Sequence, residues 1–117
     1  RNGHPMMCRV TGMGCQLSAL TAAFVAANPD KPLEGAVAAV CVMGLCGEMA
    51  FARLSGQDGT ASFGVYLMDA ISRLTPEELE SVSFNADLYL ATAIKHREGL
   101  WDTPMDDIIK EVQKGRR

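Results

Sequence analysis

The stretch from Pro32 to Gly47 limits most strongly what this chain can fold into. Pro32 suits the first turn of a helix, and Leu33, Val37, Val40 and Leu45 keep helical spacing. The predicted helix is apolar nearly all round, so it belongs inside a layered structure or an oligomer. A chain of 117 residues supports one domain at most and buries a modest core. The sequence therefore predicts a helix that needs more protein around it.

Composition and charge exclude several classes of partner. The chain is 48% apolar and 21% charged with a formal net charge of -3, which predicts a globular protein without a nucleic-acid-binding surface. The uncharged run from Gly35 to Gly47 is shorter than the roughly 20 apolar residues that a membrane span needs. No signal pattern begins the sequence, so we expect no membrane association and a cytoplasmic location.

The cysteines and histidines do not predict a metal site. None of Cys8, Cys15, Cys41 and Cys46 forms a CxxC pair, and the two histidines stand far apart in the sequence. Because the cysteines lie mainly in apolar or glycine-bounded stretches, buried free thiols are expected rather than disulfides.

Helical patterns extend over most of the chain. The prediction is a helix over 15–27, the helix from Pro32, a loop over 55–59 and a helix capped by Ser62. Thr75-Pro76-Glu77-Glu78 has the composition of a capping box and predicts a further helix. Residues 81–91 fit either a strand or a helix. A linker is expected over 99–103, followed by a last helix from Thr103 to about Lys114.

The turn Thr11-Gly12-Met13-Gly14-Cys15 is the part of the sequence that indicates chemistry. Two glycines leading into a helix let backbone N–H groups face an anion such as phosphate. The helix dipole also favours a thiolate there, so Cys15 is a candidate base or nucleophile. The alternative is a tight turn followed by a small buried cysteine. The spacing fits neither a dinucleotide-binding fingerprint nor a Walker loop.

The sequence around this turn resembles hydroxyethylthiazole kinases of the ribokinase-like superfamily. The resemblance rests on the stretch VTGMGCQLSALTAAF over 10–24, then on 33–40, 47–50, 59–63 and 67–70, in order and without large gaps. It covers about Pro5 to Leu74. The implied fold is α/β ribokinase-like, with this chain a mainly helical C-terminal portion that lacks most of the central sheet. Residues 1–74 would belong to the kinase domain and 75–117 to a helical extension of unclear role.

The resemblance implies a reaction and a set of residues. The reaction is transfer of the ATP γ-phosphoryl group to the hydroxyl of 4-methyl-5-(2-hydroxyethyl)thiazole in thiamine salvage, with Mg²⁺ as cofactor. Gly12 would line the substrate site, and Gly14 with Cys15 would form the anion hole. Cys15 stands where related sugar kinases carry an aspartate base, as a base or as a group that positions the hydroxyl. The implied partners are the thiazole alcohol, the remainder of the kinase chain and further copies, in a trimer.

Two departures keep other functions open. Gln57-Asp58 stands where the family has a proline-containing turn, and 80–117 matches no part of the family. A non-catalytic helical module that pairs with another chain is one alternative, and a ribokinase-like kinase for another small alcohol is the second. Glu48 is a candidate for facing nucleotide or magnesium; the alternative is that it lies on the solvent-exposed side of its helix. Asp58 either meets a ligand or only forms its turn.

Overall fold

The structure is a computed structural model that describes residues 2–116, and helices make up nearly all of it. A short 3₁₀ helix, Pro5–Arg9, precedes five α-helices. These are α1 (Met13–Ala27), α2 (Pro32–Ala52), α3 (Thr60–Ser72), α4 (Pro76–Arg97) and α5 (Met105–Gly115). Residues 2–116 contain no strand, so the expectation of a mainly helical chain is confirmed and the ambiguous stretch 81–91 is helical.

Helix α2 is the centre of the fold, because α1, α3 and α4 all pack against it. Its glycines admit close neighbours. A Cβ built on Gly35 would lie 2.9 Å from the carbonyl oxygen of Phe24 in α1. Gly44 makes room for the Asn2 side chain, and Gly47 makes room for the Met7 sulfur. Close packing against the N-terminal segment therefore explains the glycines at 44 and 47.

By length and composition alone, α2 meets the requirement for a membrane span. Its 21 residues exceed the uncharged run from which the sequence predicted no span. Half of its most apolar stretch is buried inside the chain. Packing against α1, α3 and α4 therefore accounts for much of its apolar character.

The core joins α2, α3 and α4. Phe63 and Leu67 of α3 are fully buried against Val42 and Cys46 of α2. Burial raises the pKa of the Cys46 thiol to about 11, and the charge of Glu78 adds to the rise. Two of the four free cysteines, Cys41 and Cys46, are buried as expected.

The same expectation is wrong for Cys8 and Cys15, which are exposed. Cys15 lies in the first turn of α1. Helix α1 has no buried residue at all, although it carries no charge. Its outward face consists of small exposed side chains, at 14, 15, 18, 19, 22, 23 and 26.

The predicted capping chemistry sets the start of α4 but not that of α3, and α5 starts near its predicted residue without a side-chain cap. The Thr75 hydroxyl accepts from the Glu78 N–H at 3.2 Å, and the Glu78 carboxylate accepts from the Thr75 N–H at 2.8 Å, so the predicted capping box is confirmed. Helix α5 also begins where it was predicted, within two residues. The Ser62 cap is wrong, because α3 begins at Thr60 with Gly59 as its N-cap.

Helices α4 and α5 form the C-terminal part of the fold. Val82 and Ala86 of α4 belong to the same buried cluster as α2 and α3. Helix α5 packs on α4, where Ile108 is buried and two ion pairs join the helices. These are Lys95 with Glu111 at 3.1 Å and Arg116 with Asp87 at 2.6 Å.

Candidate functional site

The turn before α1 is held in place by the segment that precedes it. The 3₁₀ helix begins at Pro5, where the Nδ1 atom of His4 accepts a hydrogen bond from the Met6 N–H at 3.1 Å. Met7 rests on Gly47 of α2, and the Val10 N–H donates to the Met7 carbonyl at 3.4 Å. The chain therefore enters the turn from a segment anchored on the central helix.

Gly12 is the N-cap of α1 and has a left-handed backbone, with φ of 92°. This region of φ costs a residue with a side chain roughly 1–2 kcal/mol, so the position favours glycine for conformational reasons. The Gly12 carbonyl accepts the first hydrogen bond of the helix, from the Gln16 N–H at 3.0 Å. Gly12 thus sets the direction in which α1 starts.

Gly14 lies in the first turn of α1 and is exposed. A Cβ built on it would meet no atom of residues 2–116 within 4 Å. The glycines of α2 differ, because their missing side chains are replaced by Phe24, Asn2 or Met7. Packing within this chain therefore does not require a glycine at 14, and the space beside it is open to another molecule.

The start of α1 carries uncompensated positive charge. Gly12 has no side chain to cap the helix, and the first turn contains no acidic residue. The first-turn N–H groups, on Met13, Gly14 and Cys15, have no acceptor among the hydrogen bonds within residues 2–116. These groups and the helix dipole together favour an anion. Gly12, Gly14 and Cys15 thus lie in one turn, with Gly14 and Cys15 facing solvent.

An open groove of about 470 Å³ lies beside the turn, between the start of α1 and one side of α3. Gln16 belongs to this groove, and its Oε1 atom is buried without a hydrogen-bond partner. Gly12, Gly14 and Cys15 do not line the groove, although their sequence neighbours Thr11, Met13 and Gln16 do. Its lining residues are Val10, Thr11, Met13, Gln16, Thr60, Ala61, Gly64, Val65, Met68 and Asp69.

The sequence did not single out Gln16 or the α3 residues of this groove. Gln16 is one turn beyond Gly12 and is the only long polar side chain in α1. A long polar side chain at this position could have marked Gln16 as a candidate site residue. The contribution of Thr60 and Gly64 depends on how α3 packs, which no local pattern encodes.

Two other candidates lie elsewhere. The Glu48 carboxylate accepts a hydrogen bond from the Gly3 N–H at 2.8 Å and does not line the groove. Asp58 accepts from the Ser55 N–H at 2.8 Å and from the Ser55 hydroxyl at 2.7 Å, so it forms its turn. Hydrogen bonds from Ser55 and Ser62 lower the pKa of Asp58. No group of three or more metal-binding side chains occurs in the part of the chain that the structure describes.

The structure thus defines a helical segment in which α1 starts at an uncapped, exposed turn, and sequence comparison places the chain in a family. A sequence model described as the hydroxyethylthiazole kinase family matches residues 1–77. The chain belongs to the hydroxyethylthiazole kinase family, which confirms the resemblance read from its motifs.

Curated relatives support this assignment. A protein of Clostridium acetobutylicum named hydroxyethylthiazole kinase is 48% identical over 83 residues, which cover 71% of this chain and 30% of the relative. Proteins of the same name from Akkermansia muciniphila and Granulibacter bethesdensis are 46% identical over 78 residues and 51% identical over 73 residues. These matches cover 67% and 62% of this chain, and 27% and 25% of the relatives. The chain therefore spans less than a third of the relatives it matches. No solved structure matches it.

Proposed function

We propose that this chain is the C-terminal portion of a kinase that transfers the γ-phosphoryl group of ATP to the hydroxyl of 4-methyl-5-(2-hydroxyethyl)thiazole, a step of thiamine salvage. The names of the relatives supply the substrate class. The observation that carries the proposal is the uncapped start of α1, where open space lies beside Gly14. Such a turn suits the charge that a phosphoryl group spreads over its oxygens during transfer.

The residues of the turn take different roles in this proposal. The N–H groups of Gly14 and Cys15 donate hydrogen bonds to the oxygens of the transferred group. Gly12 lines the substrate site, where its left-handed backbone favours glycine and the missing side chain leaves room for the substrate. Cys15 is exposed beside the turn and accepts the proton of the hydroxyl or fixes its position.

The groove between α1 and α3 suits the base of the nucleotide. Val65 and Met68 give it apolar walls, and both are more than half exposed in this chain, at 60% and 51%. The Oε1 atom of Gln16 is buried without a partner, and rotation of this side chain into the groove would let it accept a hydrogen bond from an exocyclic amino group. A flat ring with an amino group would satisfy both the apolar walls and this acceptor.

The described residues of this chain do not supply a complete set of ligands for Mg²⁺. Residues 2–116 contain no cluster of acidic or histidine side chains able to hold it alone. Its ligands would be ATP phosphates and residues from the rest of the full-length enzyme. When bound, Mg²⁺ would neutralise charge on the phosphates, while the turn of this chain orients the transferred group.

The remainder of the enzyme would complete the fold. We propose that the full-length protein is α/β ribokinase-like, cytoplasmic and trimeric, with the central sheet supplied by residues outside this chain. The small-residue face of α1 supports this, because α1 packs on α2 with one side only and its uncharged outward side has no partner within residues 2–116. The same face favours a second candidate, a helical module that pairs with another chain without catalysis.

A graft enzyme tests the proposal. In the Clostridium acetobutylicum relative, residues 1–77 of this chain replace the matching segment, and product formation is measured with ATP, Mg²⁺ and the thiazole alcohol. We expect phosphorylation by the graft and by the unmodified relative. A graft that folds and assembles with other copies of the enzyme but forms no product would support the helical module instead.

The role of Cys15 has a matched control within the chain. Cys15→Ala in the graft should lower kcat by at least about 100-fold, as loss of a proton-transfer group does. Cys8→Ala removes another exposed thiol and should leave kcat unchanged. Equal rates for the two variants would make Cys15 structural.

A further inference from the structure

A second cavity lies away from the turn, between α2, α4 and the N-terminal segment. Its volume is about 310 Å³, at the lower end of the roughly 300–1,000 Å³ that ligand sites occupy. It shares no lining residue with the groove beside α1. Since α4 lies almost wholly beyond the residues that match the family, nothing about the kinase reaction accounts for this cavity.

One part of the cavity is apolar. Cys41 and Val82 contribute buried surface there, each only 3% exposed, and Leu45 and Leu88 add partly buried aliphatic side chains. Burial raises the pKa of the Cys41 thiol, which keeps that wall uncharged at neutral pH. This surface can pack against the face of a small ring.

The other part is polar and carries one negative charge. One oxygen of Glu48 accepts the Gly3 N–H, and no cation pairs with this carboxylate among residues 2–116. Asn85 lines the same cavity, and so does Tyr89, whose ring face can attract a cation. Among residues 2–116, the lining contains no Lys, Arg or His side chain. Electrostatics therefore favour a cation over an anion.

We propose that this cavity binds a small aromatic cation, a single ring that bears an amidinium or ammonium group. The ring packs on the apolar part, and the charged group lies at the free oxygen of Glu48. The volume limits the ligand to about one ring with a short substituent. The site exists only where α4 packs against α2, so it needs residues beyond the family segment as well as Cys41, Leu45 and Glu48 within it.

Benzamidine is the probe, and the 117-residue chain is the target. Titration followed by backbone amide NMR should shift the resonances of Cys41, Leu45, Asn85 and Tyr89 in a saturable way. The dissociation constant should fall in the millimolar range expected for so small a ligand. Benzoate, which has the same ring and the opposite charge, should give no saturable shifts. Equal binding of benzoate and benzamidine, or no binding of benzamidine, would overturn the proposal.

Three variants test the contacts. Glu48→Gln keeps an acceptor for the Gly3 N–H and removes the charge, so benzamidine affinity should fall about fivefold, as for a partly exposed ion pair. Glu80→Gln removes an exposed charge from α4 outside the cavity and should leave affinity unchanged. Asn85→Phe fills the cavity from an exposed position and should abolish saturable binding. If Asn85→Phe does not fold, the two glutamate variants decide, and equal affinities for them would sink the proposal.

Discussion

Helices α1 and α4 begin in opposite ways. At the start of α4, Thr75 and Glu78 satisfy each other's backbone N–H groups, and Glu77 adds negative charge. At the start of α1, Gly12 offers no cap and the first turn has no acidic residue. Both sequences start a helix. At α4, side chains of the chain itself accept hydrogen bonds from the N–H groups of Thr75 and Glu78, whereas the first-turn N–H groups of α1 have no acceptor within residues 2–116. A self-capped start is explained by stability, whereas an open start needs a partner.

The other helix starts sharpen the contrast. Helices α2 and α5 lack a side-chain cap, yet each has an acidic residue in its first turn. Helix α3 begins at the uncapped Gly59, directly after the carboxylate of Asp58. Of the five described α-helices, α1 alone has neither a cap nor a carboxylate at its start.

The largest expected effect comes from closing the open start. Gly14→Val in the graft enzyme should reduce kcat/KM by about 100-fold or more, because the side chain occupies the space intended for the phosphoryl oxygens. Stability should change by no more than about 0.5 kcal/mol, since a Cβ at 14 meets no neighbour in this chain. Steady-state kinetics and thermal unfolding give the two values. Gly56→Val, at a loop glycine with equally open surroundings, is the control. An equal loss of kcat/KM in this control would contradict a role of Gly14 in an anion hole.

The second effect falls on the closed start. Thr75→Ala should destabilise the 117-residue chain by about 1 kcal/mol, because the N–H of Glu78 loses its acceptor. Thermal or urea unfolding measures the loss. Thr60→Ala, in the first turn of α3 without a capping role, should cost less than about 0.5 kcal/mol. If the two variants unfolded alike, the capping box would not stabilise α4.

The smallest effect concerns the start of α3 and appears only in acid. Hydrogen bonds from Ser55 hold the pKa of Asp58 below its ordinary value. A depressed pKa adds stability above the unfolded value of about 3.9, and this contribution is lost as pH falls through the folded value. Melting temperatures from about pH 6 to about pH 3 should therefore fall more steeply for the unchanged chain than for Asp58→Asn. Parallel curves would mean that the Ser55 contacts contribute nothing to folding.

Local chemistry was enough to predict most helices. The capping box at Thr75, the proline at 32 and the glycine turn before α1 each act within a few residues. They can therefore be interpreted without knowing the tertiary structure. The failures needed information from elsewhere. Ser62 has the composition of a cap, but the bond between Asp58 and Ser55 closes the preceding loop earlier. Residues 81–91 were ambiguous because α4 has only a weak apolar stripe, and α2 decides which side is buried.

The candidate site was predicted in part for the same reason. Its glycines and Cys15 are adjacent in sequence, and their family pattern was recognisable. Cys15 was also open to interpretation as a small buried residue, and its exposure depends on the side of α1 that meets α2. The groove with Gln16 forms because α1 and α3 both pack on α2, so its discovery needed the packed structure.

The contact between Met7 and Gly47 has a consequence for how mutations in this protein would be read. The chain passes from Met7 through three residues to the turn, and Met7 rests where Gly47 has no side chain. A bulkier residue at 47 would push the incoming segment off its support and tilt the turn, with no change in the turn's own sequence. A survey of variants would then record Gly47, thirty-five positions from Gly12, as if it belonged to the reaction centre.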